Sequence, residues 1–139
     1  MHTRKSVRIG RDTRQRRAIL EVLRKANGPL TPSEICRWAR RRVPSLGIAT
    51  VYRHLRVLTA AGLLRRVELP GGSARFEWGD IPHHHHFLCR RCTRAFCTSS
   101  CRRRLIEAVP RGFKVESHEV TLIGICRQCF HRRKQPRPG

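Results

Sequence analysis

The chain has 139 residues, 31 Lys and Arg against 9 Asp and Glu, and a formal charge of +22. That length holds one compact domain or two small ones. Arginine spread along the whole sequence calls for a polyanionic partner, nucleic acid first, because so much like charge opposes compaction unless it is neutralised. No apolar run approaches the ~18 residues of a bilayer span, and the opening MHTRKSVRIGRDTRQRR lacks the apolar stretch of a secretory signal. The expectation is a cytoplasmic protein with no membrane partner. Seven cysteines in such a chain point to reduced, metal-bound thiols rather than disulfides.

Residues 1–12 read as a flexible basic arm. Thr13 can cap a first helix, whose apolar stripe is Ile19, Val22, Leu23 and Ala26, and Asn27-Gly28-Pro29 stops it. Thr31-Pro32-Ser33-Glu34 is a capping box with Pro at the first helical position. The second helix is expected to run to about Arg42 and to bury Ile35, Trp38 and Ala39, with Cys36 as a core residue. A turn from Pro44 to Gly47 leads to a third helix over roughly 48–61, with Val51, Leu55 and Leu58 on its apolar side. The opposite side carries Ala49, Tyr52, Arg53 and Arg56, with Thr50 beside them. Small, aromatic and arginine side chains opposite a core stripe suit a major groove, where Arg pairs with guanine and Ala or a Tyr ring meets a thymine methyl.

Leu64–Leu69 and Ala74–Trp78 are strand-like and are separated by Pro70-Gly71-Gly72-Ser73, a hairpin signal. Three short helices and a hairpin make a winged helix-turn-helix over 13–78, with the third helix in the groove and Arg75 of the hairpin on phosphate. Residues 79–82 read as a hinge. Strands are expected over 83–89 and 93–97, then a short helix capped by Thr98, Ser99 or Ser100 and ending near Val109, then strands near 113–116 and 118–125. This second domain, 83–130, precedes a basic, disordered tail over 131–139. The fold class is α+β, a winged helix-turn-helix followed by a small α/β domain.

Cys89-Arg-Arg-Cys92 and Cys126-Arg-Gln-Cys129 each offer two thiolates, and together they complete a four-cysteine structural zinc site, one per chain. Two unrelated reduced pairs, or one redox-active pair, are the other readings. Just upstream lies His83-His84-His85-His86. On a strand alternate side chains face opposite ways, so His83 and His85 point to one side and His84 and His86 to the other, and the run serves two sites.

The succession TRQRRAILEVL, GIATVYRHLRVL, AGLLRR, GGSARFE, HHHHFLCRRC, GFKVESHEV and GICRQC resembles the ferric uptake regulator family over about residues 13–130. The resemblance implies a metal-dependent repressor that binds double-stranded operator DNA as a homodimer, with no small-molecule substrate and no enzyme activity. It assigns Cys89, Cys92, Cys126 and Cys129 to structural zinc. Glu77, His84 and His86 fall to a regulatory site bridging the two domains, and His83, His85 and His118 to a second site. Tyr52 and Arg53 become recognition-helix contacts, and Arg16 a first-helix contact near the DNA backbone.

The sequence departs from the family pattern at three positions. Pro29 stands where many members place a histidine ligand. Cys97 stands where members usually carry a carboxylate, and is assigned to the regulatory set. Cys101 is assigned to the second set in place of another carboxylate. Cys97 and Cys101 could also bind one metal together, form a disulfide, or be small partly buried residues. Thiolate in place of carboxylate favours Zn²⁺ over Mn²⁺ and over an oxygen-rich Fe²⁺ site. The rival functions are a peroxide sensor of the same family and a zinc-dependent enzyme acting on nucleic acid.

Overall fold

The computed structural model describes residues 13–99 and 107–132. The chain divides into two compact units, Met1–Ile81 and Pro82–Gly139. The expected arm over 1–12, most of the expected helix up to Val109, Cys101 and the tail from 133 onward lie outside the described residues.

In the first unit, α1 (Arg14–Lys25) starts where the Thr13 hydroxyl accepts the Arg16 N–H at 3.2 Å. α2 (Pro32–Ala39) starts in the full capping box: the Thr31 hydroxyl accepts the Glu34 N–H, and the Glu34 carboxylate accepts the Thr31 N–H at 2.8 Å. α2 ends three residues earlier than the sequence suggests, because the N–H groups of Arg41 and Arg42 turn to the carbonyls of Trp38 and Ala39, three residues back, and tighten the chain out of the α-helix. α3 (Ile48–Ala60) ends at Gly62, whose φ of +73° is the left-handed conformation that closes a helix, with Gly62 N–H on the Thr59 carbonyl and Leu63 N–H on that of Leu58. The three apolar stripes meet in one core of Ile19, Ile35, Leu46, Val51, Leu55 and Leu58, each 0–1% exposed. Cys36 belongs to that core.

β1 (Leu64–Glu68) and β2 (Ala74–Trp78) pair antiparallel, Leu64 opposite Trp78 and Glu68 opposite Ala74, around a turn in which Gly71 and Gly72 both take positive φ. Phe76 exchanges both backbone hydrogen bonds with Leu30, which ties the hairpin to the segment between α1 and α2. The strand's alternation sets a correction. Arg75, expected on phosphate, lies 5% exposed and pairs with Glu34 of the capping box at 3.4 Å. Phe76 and Trp78 occupy the alternate face and pack on the core, so Arg75 is turned to the other side, where Glu34 holds it.

In the second unit, β3 (His85–Cys89) is the middle strand of three. It runs antiparallel to β4 (Ala95–Thr98) and parallel to β5 (Thr121–Gly124). The expected strand at 113–116 does not form: residues 113–120 carry no regular structure, Phe113 is 71% exposed, and the last strand shortens to the four residues that pair with β3. A helix the sequence reading missed, α4 (Arg127–Arg132), takes in residues 131 and 132 of the expected tail. Its buried residue is Cys129.

Glu34 serves both the α2 cap and the buried Arg75. Thr31→Ala should cost about 1 kcal/mol, the usual loss of an N-cap side chain. Glu34→Ala should cost about 2 kcal/mol or more, because it also leaves a buried guanidinium without that carboxylate. Denaturant melts of the two variants check the order.

Candidate metal centres and nucleic-acid face

Cys89 closes β3, and Cys92 follows in the turn before β4; Cys126 follows β5, and Cys129 comes from α4. Their four Sγ atoms all lie within 4.8 Å of one another. The Cys126 N–H donates to Cys89 Sγ at 3.3 Å, and Cys92 and Cys126 Sγ atoms stand 3.8 Å apart. Burial pushes the Cys89 thiol up, but backbone N–H donors led by that of Cys126 outweigh it and bring its pKa down to about 6. Burial and the neighbouring sulfurs push Cys129 up to about 12. One site therefore sets a thiol of lowered pKa beside one of raised pKa, a set that a divalent cation relieves by displacing protons. Among the described residues, Cys89, Cys126 and Cys129 form one buried cluster of the second unit, with Phe87, Phe96 and Ile125 packed around them. Four sulfur atoms within 4.8 Å of one another are compatible with a structural zinc site. A metal held by all four sulfurs would have no open position.

The histidine run divides as strand period two requires. His84 and His86 bring their Nε2 atoms to 3.1 Å, and the His84 Nδ1 lies 2.8 Å from the Pro82 carbonyl. Cys97 on β4 is the register partner of His86, and its Sγ joins the same cluster within 4.8 Å. On the other face His83, His85 and His118 gather their ring nitrogens within 4.8 Å, with His83 and His118 Nε2 atoms 3.2 Å apart. His85 is 4% exposed and neither of its ring nitrogens has a hydrogen-bond partner. Burial, reinforced by the imidazoles of His83 and His118, lowers its pKa and so favours the neutral imidazole, the form that ligates a metal. A buried imidazole with both nitrogens unsatisfied, beside two more imidazoles, fits a borderline cation such as Zn²⁺. Glu77 belongs to the first unit, at the end of β2, 3% exposed and accepting Arg65 Nε at 2.6 Å. Pro29 is fully buried and offers no ligand atom.

On α3, Ala49, Tyr52, Arg53 and Arg56 are exposed and Thr50 is partly so; Arg53 donates to the Thr50 hydroxyl at 3.1 Å. Tyr52 is 52% exposed. Arg16 of α1 lies close enough to this face that its charge, after burial and ahead of Arg53, lowers the pKa of His54. Tyr52 and Arg56 line an open groove shared with the start of α2 and with the hairpin, where Arg66 of β1 contributes a cation. Arg66 was missed in the sequence. Its side chain is exposed and pairs with Glu68 at 2.9 Å.

The sequence profile described as the ferric uptake regulator family matches residues 8–123. The chain belongs to the ferric uptake regulator family. The ferric uptake regulation protein of Bordetella parapertussis is 36% identical over 115 residues, 80% of this chain and 83% of the relative. The peroxide operon regulator of Bacillus subtilis is 30% identical over 122 residues, 86% of this chain and 81% of the relative. Among solved structures, a zinc-bound manganese uptake regulator superposes with a TM-score of 0.75 at 25% identity, covering 86% of this chain and 92% of its own. The Helicobacter pylori ferric uptake regulator, described as having three functional metal binding sites, gives 0.68 at 25% identity, covering 86% and 82%. This family member matches those folds over both of its units. No helix among the described residues is long and apolar enough to cross a membrane.

Cys126→Ser should remove one tightly held zinc per chain and abolish the cooperative melt of the second unit. Metal analysis of the purified variant and circular dichroism check both. Retention of the zinc with an unchanged melt would contradict the four-cysteine assignment.

Proposed function

We propose that this chain is a metal-dependent transcriptional repressor that binds pseudo-palindromic operator DNA as a homodimer, with zinc preferred over iron as the regulatory metal. The observation that carries the metal preference is the placing of Cys97 directly across the β3–β4 ladder from His86, with its sulfur against the ring nitrogens of His84 and His86. One thiolate and two imidazoles suit Zn²⁺, whereas Fe²⁺ and Mn²⁺ favour sites richer in oxygen. His84, His86 and Cys97 hold the ion, and the family resemblance adds Glu77 of the wing. A bound divalent cation supplies positive charge and a fixed cross-link among these donors. With Glu77 engaged, the wing and its recognition helix are held to the dimerisation unit, and two such helices match successive major grooves. Metal and DNA each then strengthen the binding of the other by the same factor.

The DNA face follows from charge and exposure. Tyr52, Arg53 and Ala49 read base edges, with Thr50 and Arg56 beside them, and Arg16 and Arg66 hold phosphate. Arg66 takes the role first given to Arg75, which Glu34 keeps buried. Peroxide sensing is a second reading, favoured by the 30% identity to the Bacillus subtilis peroxide operon regulator. Oxygen added to His84 or His86 after peroxide treatment of the iron-loaded protein, read by mass spectrometry, would support it.

Operator binding measured across buffered metals tests the proposal. Zn²⁺ should tighten binding more than Fe²⁺ or Mn²⁺, and Cys97→Glu should move the preference toward Fe²⁺ and Mn²⁺. Stronger binding of the unaltered chain with Fe²⁺ or Mn²⁺ would overturn the zinc preference. Arg66→Ala should weaken binding to all sequences alike and reduce the salt slope by about 1. Arg75→Ala should lower stability instead, which a parallel denaturant melt separates from a DNA effect.

A further inference from the structure

We infer that the His84/His86/Cys97 cluster and the His83/His85/His118 cluster load metal cooperatively, each strengthening the other, because they draw alternate residues from one short stretch of chain. The inference rests on the proposed reading of Cys97 as a ligand.

Each cluster is built to the same plan. One histidine lies inside the β3 ladder, His86 in the first cluster and His85 in the second. One lies in the segment leading into the strand, His84 and His83 respectively, where no ladder fixes the backbone. The third member comes from a neighbouring segment: Cys97 from β4, and His118 from the stretch that enters β5. An ion gripped by His83 and His85 therefore fixes the backbone of the same lead-in that carries His84. Strand alternation then aims His84 at the opposite face without further ordering. The conformational entropy of the lead-in is lost once, and the second ion binds a segment already ordered. The flanking contacts act in the same sense. The His86 N–H donates to the Val120 carbonyl at 3.1 Å, and His86 pairs with Thr121. Holding His118 thus also steadies the strand partner of His86.

Repulsion between two cations opposes this coupling. The ions sit on opposite faces of the strand, the Cys97 thiolate cancels one charge of the first, and salt screens over about 8 Å at physiological ionic strength. Shared ordering is therefore the larger effect, and the coupling is positive.

The test uses the full chain with zinc in the four-cysteine site and Cys101→Ser as background, so that Cys97 is the thiolate that reports. Co²⁺ is titrated at fixed pH, and the cobalt–thiolate charge-transfer absorption follows the first cluster alone. In His118→Ala the midpoint of that absorption should rise about fivefold or more, within the usual range of coupling between sites. His83→Ala should shift it in the same direction, and it decides the matter if His118→Ala loses its structural zinc. A midpoint unchanged in the variants overturns the coupling and leaves the Cys97 assignment standing. A midpoint that falls shows that repulsion dominates, and overturns it too. If the unaltered background never develops the absorption, the Cys97 assignment fails and the coupling with it.

Discussion

The second unit depends on one constraint, the alternation of side chains along the segment 83–89. A strand turns successive residues to opposite faces. Four histidines in a row therefore cannot crowd one ion. They divide into His83 with His85 and His84 with His86, each pair closed by a residue from a neighbouring segment. The same strand ends in Cys89, fully buried at the heart of the four-cysteine cluster. A one-residue slip of β3 against β4 would move Cys97 away from His86 and exchange the faces of every histidine. Register is thus the quantity that the cysteine cluster protects, since Cys89 and Cys92 pin one end of the strand while Cys126 and Cys129 pin the chain beyond β5.

The two units are stabilised in different ways. The first has an aliphatic core shared by three helices and the hairpin, and stands on burial. The second buries Leu88 and Ala95 beside a cluster of three thiols among its described residues, a set compatible with a structural metal. That difference fits the division of labour proposed for them. The helical unit must present Tyr52, Arg53 and Arg66 in a fixed pattern, while the sheet unit must respond to metal supply. An excess of 22 basic over acidic residues opposes compaction unless a polyanion neutralises it, and the proposed DNA affinity would depend strongly on salt.

Much of this was legible in the sequence because its signals are local. Thr13 and the Thr31–Glu34 box mark helix starts, Gly71-Gly72 marks the hairpin, and the alternation of the histidines follows from their adjacency. What could not be read depends on distant partners. Arg75 looks like a phosphate contact until Glu34, 41 residues earlier, claims it inside the fold. Residues 113–116 have strand composition but acquire no neighbour to pair with among the described residues. Arg127–Arg132 reads as a basic tail, yet a helix forms there with Cys129 buried among the other thiols.

The central claim is that a sulfur donor joins two imidazoles in the regulatory site. Cobalt K-edge X-ray absorption on protein whose four-cysteine site is filled with zinc, and in which Cys101 is replaced by Ser, reads the donor set directly. The account predicts one sulfur scatterer together with imidazole nitrogens, and loss of the sulfur in Cys97→Ala. A shell of nitrogen and oxygen alone in the Cys97-containing protein would contradict it.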